Sequence, residues 1–213
     1  MEERVTGIVI RAEAYRESDK LLRIFTPERG LIRAVMKGVK KKTAKLRFFA
    51  QPFAFCDFEL LESAGRYTVK TCAAVEDFFA LSLDPDRYAA GCLCLEAVES
   101  AAGAIDSGGL FLLTVKCLKS LLLTPAEPRL IAAKFIQKLL SLAGFYKSPG
   151  KPNAAEGTAA ALIYDISIRY ADELSEVSAA PETAARALTA LTGQFERAFE
   201  TKLKSTGFWH NLT

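Results

Sequence analysis

The apolar residues of this chain change their period at Asp84-Pro85. Upstream, runs such as VTGIVIRA alternate in the way that buries one face of a strand; downstream, apolar residues recur with the spacing of a helix stripe. Strands first and helices second predict an α+β architecture with the two kinds of element segregated, not a βαβ alternation. The turn signals Pro27-Glu28-Arg29-Gly30 and Ser63-Ala64-Gly65-Arg66 split the first part into about five strands between Val5 and Glu76. Five strands with one long connection between the third and the fourth suit a partly open OB-type barrel. The helical part predicts helices over Asp84 to Ala104, with Asp84 as N-cap and Pro85 at the first position, then Leu110 to Leu123, Glu127 to Leu142, Thr158 to Glu176 and Pro181 to Leu203. Domains of 1–80 and 81–213 follow, and 213 residues are enough for two small cores.

Between the third and fourth strands lies Arg33 to Arg47, RAVMKGVKKKTAKLR, with seven positive side chains and no negative one. The net charge of +3 hides this asymmetry, because residues 1–70 carry +6 and the remainder −3. A basic loop held between apolar strands concentrates positive potential on one edge of a small β-domain, and a phosphate backbone is the partner such an edge suits. The candidate contacts are Arg33, Lys37, Lys40, Lys41, Lys42, Lys45 and Arg47, joined by Arg11, Arg16, Lys20 and Arg23 in or beside the first strands. Alternation puts Arg23 opposite Leu22 and Ile24, and Arg33 opposite Ile32 and Ala34, so both project outward. Of the aromatic cluster that follows, Phe53 and Phe55 read as barrel core on one strand face, while Phe48 and Phe49 adjoin the basic loop and are the two candidates for base contact. No motif specifies base edges, so binding is expected to be driven by the backbone and weakly dependent on sequence.

Other chemistries find no residues. The single histidine, His210, has no motif around it, and neither a P-loop nor a dinucleotide fingerprint is present, so no enzyme is expected. The five cysteines sit inside apolar patterns and read as reduced core residues; none are spaced Cys-x-x-Cys, so neither a zinc site nor any other cofactor is expected. The start lacks the apolar centre of a signal peptide, and LFLLTVKCLKSLLL is too short and too charged to span a bilayer, which points to a cytoplasmic protein without a membrane partner. In the helical part, Lys116, Lys119, Arg129, Lys134 and Lys138 are either solvated helix surface or a basic rim round an apolar groove for an acidic peptide.

The N-terminal run resembles the opening of the RecO family: Gly7, Val9 and Arg11, then Tyr15, Glu17, Asp19 and Leu21, Phe25 to Glu28 with Gly30 and Leu31, Lys37-Gly38, Leu46-Arg47 and Gln51 to Phe53. RYTVKTCAAVEDF continues the likeness, and KFIQKLLSLAGFYKSPG and ETKLKSTGFWHNL are similar to later family segments. Where many members carry a four-cysteine zinc module this chain has KPNAAEGT, so the resemblance does not extend to the metal. It implies an OB-fold DNA-binding domain followed by a helical domain. It also implies a recombination mediator in DNA repair at the nucleoid, which binds single- and double-stranded DNA and anneals complementary strands. The implied protein partners are the acidic tail of single-stranded-DNA-binding protein and RecR, with RecA loaded indirectly. The alternative from the residues alone is a non-catalytic adaptor whose basic barrel binds an acidic protein surface.

Overall fold

The computed structural model describes residues 2–41, 43–148, 158–169 and 172–211; Lys42, and the loop expected between Lys147 and Gly157 from residue 149 onward, lie outside the described residues, as does the side chain of His210. The strands are β1 (Glu2–Tyr15), β2 (Asp19–Thr26), β3 (Gly30–Met36), β4 (Ala54–Ser63) and β5 (Arg66–Asp77). They close into a barrel in the order β1-β2-β3-β5-β4. All neighbours are antiparallel except β3 and β5, which run parallel over Ala34↔Tyr67 to Met36↔Val69. The five-stranded OB-type barrel expected above is present, and it is closed where a partly open one was expected.

Closure depends on β1 serving two partners. Its first half pairs with β4 from Glu2↔Leu61 to Ile8↔Phe55, and its second half pairs with β2 from Ile8↔Phe25 to Tyr15↔Asp19. A bulge between Val9 and Arg11 bends the strand from one neighbour to the other. Gly7 lies just before this bend, where the chains approach closely: a Cβ there would stand 2.6 Å from Ile24 Cγ2 and 2.9 Å from the Phe25 carbonyl oxygen.

Alternation does select the barrel interior. Val5, Val9, Leu22, Ile24, Ala34, Met36, Cys56, Phe58, Leu60 and Val69 form one buried cluster, joined by Val39 and Ala50 from the connection between β3 and β4. Phe55 is buried but stands apart from it: β4 turns Cys56 and Phe58 inward, so Phe55 faces the other way and stacks on Phe78 at 5.9 Å, with Phe111 5.8 Å away. Phe111 also meets Phe25 at 5.9 Å. The expected common face for Phe53 and Phe55 is therefore corrected. β4 begins only at Ala54, and Phe53 precedes it in the left-handed backbone region, φ 72°, with its N–H on the Val9 carbonyl.

By internal contacts the chain divides into two compact units, Met1–Ala80 with Asp106–Phe111, and Leu81–Ile105 with Leu112–Thr213. The segment Asp106–Phe111 thus goes with the barrel, where an unbroken helical domain from residue 81 was expected. The helices are α1 (Pro85–Ala101), α2 (Ser107–Leu123), α3 (Pro128–Leu142), α4 (Ala159–Ile168) and α5 (Pro181–Ala198). Their starts follow local chemistry: the Asp84 carboxylate accepts from the N–H groups of Asp86 and Arg87, Glu127 accepts from Leu130, and Thr158 Oγ1 accepts from Ala161. Three ends fall earlier than their period suggests: α1 stops at Ala101, α4 at Ile168 and α5 at Ala198. After α5 the chain re-forms as a 3-10 segment, Lys204–Asn211, whose first N–H groups, of Lys204 and Ser205, donate to the Glu96 carboxylate on α1. α3 packs on both α1 and α5, and Leu130 to Gln137 are buried without a break.

Candidate nucleic-acid interface

The connection from Lys37 to Phe53 is tied to the β1–β2 turn at successive points. Gly38, at φ 70°, donates its N–H to Asp19 Oδ1 at 2.9 Å, and the Lys40 N–H reaches the Ser18 carbonyl at 3.0 Å. Lys40 Nζ donates to the Arg16 carbonyl at 3.3 Å, and Lys20 Nζ to that of Ala50 at 2.7 Å. The Gly38 N–H holds the Asp19 carboxyl below its ordinary range, helped by the Ser18 hydroxyl and by Arg16 and Lys37, so the carboxylate stays ionised. Val39, 2% exposed, and Ala50 are buried in the barrel core, and Leu46 and Phe49 pack against it. The basic loop is therefore a built part of the barrel end, with its described charged side chains exposed.

Lys37, Lys40, Lys41, Lys45 and Arg47 are exposed, and no ion pair joins any of them to a described carboxylate. Cations elsewhere on the barrel differ. Arg29 meets Glu3 at 2.6 Å, and Lys70 meets Glu2 at 2.8 Å. Charges without a counterion among the described residues, on an edge tied to the barrel, are the form of surface that polyanions neutralise.

Three strands extend this edge. The β1 bulge skips Ile10 and sets Arg11 across from Arg23, which is in turn across from Arg33 on β3. Like charges in direct register oppose the pairing of strands, which an anion lying across the row would offset. Arg11 and Arg33 are exposed and Arg23 is half-buried between them; Glu13 engages Arg11 at 2.8 Å. The row lies roughly 10 Å up the strands from the loop, three residues from Met36 along β3.

The structure thus places the expected residues unequally. Lys37, Lys40, Lys41, Lys45, Arg47, Arg16, Arg11 and Arg33 present cationic groups to solvent, whereas Lys20 is half-buried with its ammonium on a backbone carbonyl, and Lys42 lies outside the described residues. Phe48 is 70% exposed, whereas Phe49 is anchored against the core. Tyr15 was missed: its ring carries the Arg16 guanidinium at 5.2 Å, and only its place in Tyr15-Arg16 could have suggested it.

The expected basic rim of the helical unit breaks up. Lys116, Lys119 and Lys138 are exposed, but Arg129 is paired with Glu127 at 3.0 Å and Asp86 at 3.6 Å. Lys134 is 4% exposed, with Nζ donating to the carbonyls of Ile166 at 2.6 Å and Ser167 at 3.2 Å. It caps the C-terminal end of α4, so the expectation that it is solvated helix surface or part of a basic rim is corrected; α3 is buried from Leu130 to Gln137. Burial, with Lys138 nearby, pushes its pKa down to about 8, below the ordinary lysine value of 10.5. The folded state therefore holds this proton less tightly than the unfolded chain, and the charge penalises folding below pH 8 but fades between about 8 and 10.5. Against Lys134→Met, which keeps the stem and removes the charge, the wild-type protein should gain relative stability across that window. Paired thermal melts from pH 7 to 10.5 check this; a constant difference would contradict it.

Residues 1–78 match the family model described as recombination protein O, N-terminal. The chain is 32% identical over 142 residues to the DNA repair protein RecO of Heliobacterium modesticaldum, covering 67% of this chain and 51% of the relative. It is 30% identical over 145 residues to that of a Nocardioides species, covering 67% and 59%, and 37% identical over 94 residues to that of Alkaliphilus metalliredigens, covering 44% and 38%. The chain spans about half the length of the first two relatives, and the match runs through the barrel, where Gly7, the Asp19–Gly38 tie and the basic loop lie. Barrel topology, the N-terminal family match and similarity continuing past it agree that this chain belongs to the RecO family.

Proposed function

We propose that this protein is a non-catalytic DNA-repair factor of recombination whose barrel binds single- and double-stranded DNA by neutralising phosphates. The observation that carries this is the run of exposed cations Lys37, Lys40, Lys41, Lys45 and Arg47, none in an ion pair with a described carboxylate, on a loop laced to the barrel and continued by the Arg11-Arg23-Arg33 row. Such a surface lowers the repulsion between two polyanions brought together, so it promotes annealing of complementary strands without bond chemistry. The relatives' name, DNA repair protein RecO, supports the process.

Fluorescence anisotropy with a mixed-sequence single strand, titrated with salt, tests the reading. Five to seven phosphate contacts predict a log–log slope of about −3 to −5. A slope near zero, or no binding at low salt, would remove it. Within the same reading the protein works at the nucleoid in the cytoplasm with RecR, on DNA coated by single-stranded-DNA-binding protein, and helps load RecA. The exposed Lys116, Lys119 and Lys138 supply charge for that coat protein's acidic tail. Calorimetry with a tail peptide checks this last part: salt-sensitive heat supports it, and none at high micromolar peptide excludes it.

A further inference from the structure

We propose that Phe48 is a stacking platform for one base, and that it makes the basic edge favour single strands over duplex. The inference rests on the DNA-binding reading above and specifies which form of DNA the edge takes.

Phe48 is the most exposed phenylalanine among the described residues. It lies in a single 3-10 turn, Arg47–Phe49, and its two flanks are fixed. On one side Leu46 packs against the barrel core and its carbonyl accepts from the Phe49 N–H at 3.1 Å; on the other, Phe49 packs against the same core and Ala50 is buried in it. Arg47 closes the turn by accepting from the Ala50 N–H at 3.3 Å, and Lys20 Nζ holds the Ala50 carbonyl at 2.7 Å. The ring therefore projects from backbone that is already ordered, and little backbone freedom remains to be lost when something settles on it.

Its surroundings select the occupant. Two exposed cations stand just before it in the chain, Lys45 and Arg47, and neither has a described carboxylate partner. A bare apolar face beside two phosphate-seeking groups suits a nucleotide chain, in which each base hangs next to a phosphate. An acidic peptide would satisfy the cations but offers no planar group at each charge. In a duplex the base faces are covered by their neighbours, so the ring adds nothing there, whereas every base of a single strand has a free face to give. Phosphate neutralisation is shared by both forms of DNA; the ring is the group at this edge that tells them apart.

The test uses the full chain with a labelled oligo-dT strand and a blunt duplex of equal length, comparing the wild type with Phe48→Ala, Phe48→Leu and Phe48→Trp. Loss of one stacked base should weaken single-strand binding by about fivefold to a hundredfold in Phe48→Ala, with duplex affinity and the salt slope unchanged. Phe48→Trp should match or exceed the wild type, and Phe48→Leu should fall with the alanine variant because it is apolar without a flat face. Melting should be unaltered, since the ring is in solvent. Equal losses on both DNA forms, or wild-type binding in Phe48→Leu, would overturn the stacking role and leave the basic-edge reading intact. Failure of the wild type to bind either DNA would overturn that reading and this inference with it.

Discussion

Reversing Lys41, Lys45 and Arg47 together to glutamate should weaken single-strand binding at least tenfold at low salt and make the salt slope about 2 units shallower, since each lost single-strand phosphate contact removes roughly 0.7. The three side chains are exposed and make no ion pair with a described residue, so their replacement removes no described contact from the barrel. Lys20 is the matched control. Its ammonium holds the Ala50 carbonyl, so Lys20→Met should act mainly through loop order, with a melting change and a nearly unchanged slope. Anisotropy for affinity and circular dichroism for fold separate the two. Unchanged affinity in the folded triple variant would dismiss the loop as the phosphate-binding edge.

Gly7→Ala should destabilise the barrel by about 2–3 kcal/mol, the scale of overpacking a well-filled site, with a melting shift of roughly 5–10 °C. The physical reason is steric. The added methyl would meet the Ile24 Cγ2 methyl at 2.6 Å and the Phe25 carbonyl oxygen at 2.9 Å, and while a side chain can rotate aside, the carbonyl belongs to the β1–β2 ladder. Relief would require the strands to separate where β1 exchanges β4 for β2. Differential scanning calorimetry of the wild type and variant reads the loss; equal melting would mean that the barrel end relaxes at no cost.

Much of the barrel was legible in advance because its information is local. Period-two alternation marks the faces of β1 to β3, Pro27 to Gly30 marks a turn, and the capping chemistry of Asp84-Pro85 and Glu127-Pro128 marks helix starts. Helix ends were read less well. α4 stops where its last carbonyls find Lys134 from elsewhere in the chain, and α5 stops at Ala198, just before Glu200 takes a left-handed φ of 50°; neither leaves a trace in the apolar period. Phe55 shows the same limit: alternation makes it apolar and buried, but only register decides that Cys56 and Phe58 take the interior.

For the candidate site, the sequence by itself determined the charge: seven cations and no acid between Arg33 and Arg47, beside a strand and an aromatic pair. Charge is a property of composition and survives any fold. Tertiary structure decided which of those groups are available. It turned Lys20 and Lys134 inward onto carbonyls and sent Phe49 to the core while leaving Phe48 in solvent, and through one bulge it set Arg11, Arg23 and Arg33 in a row. The two lysine outcomes depend on partners 30 or more residues away, Ala50 for Lys20 and Ile166 for Lys134. Backbone groups like these are present at every position, so no residue type in the sequence announces which of them a lysine will find.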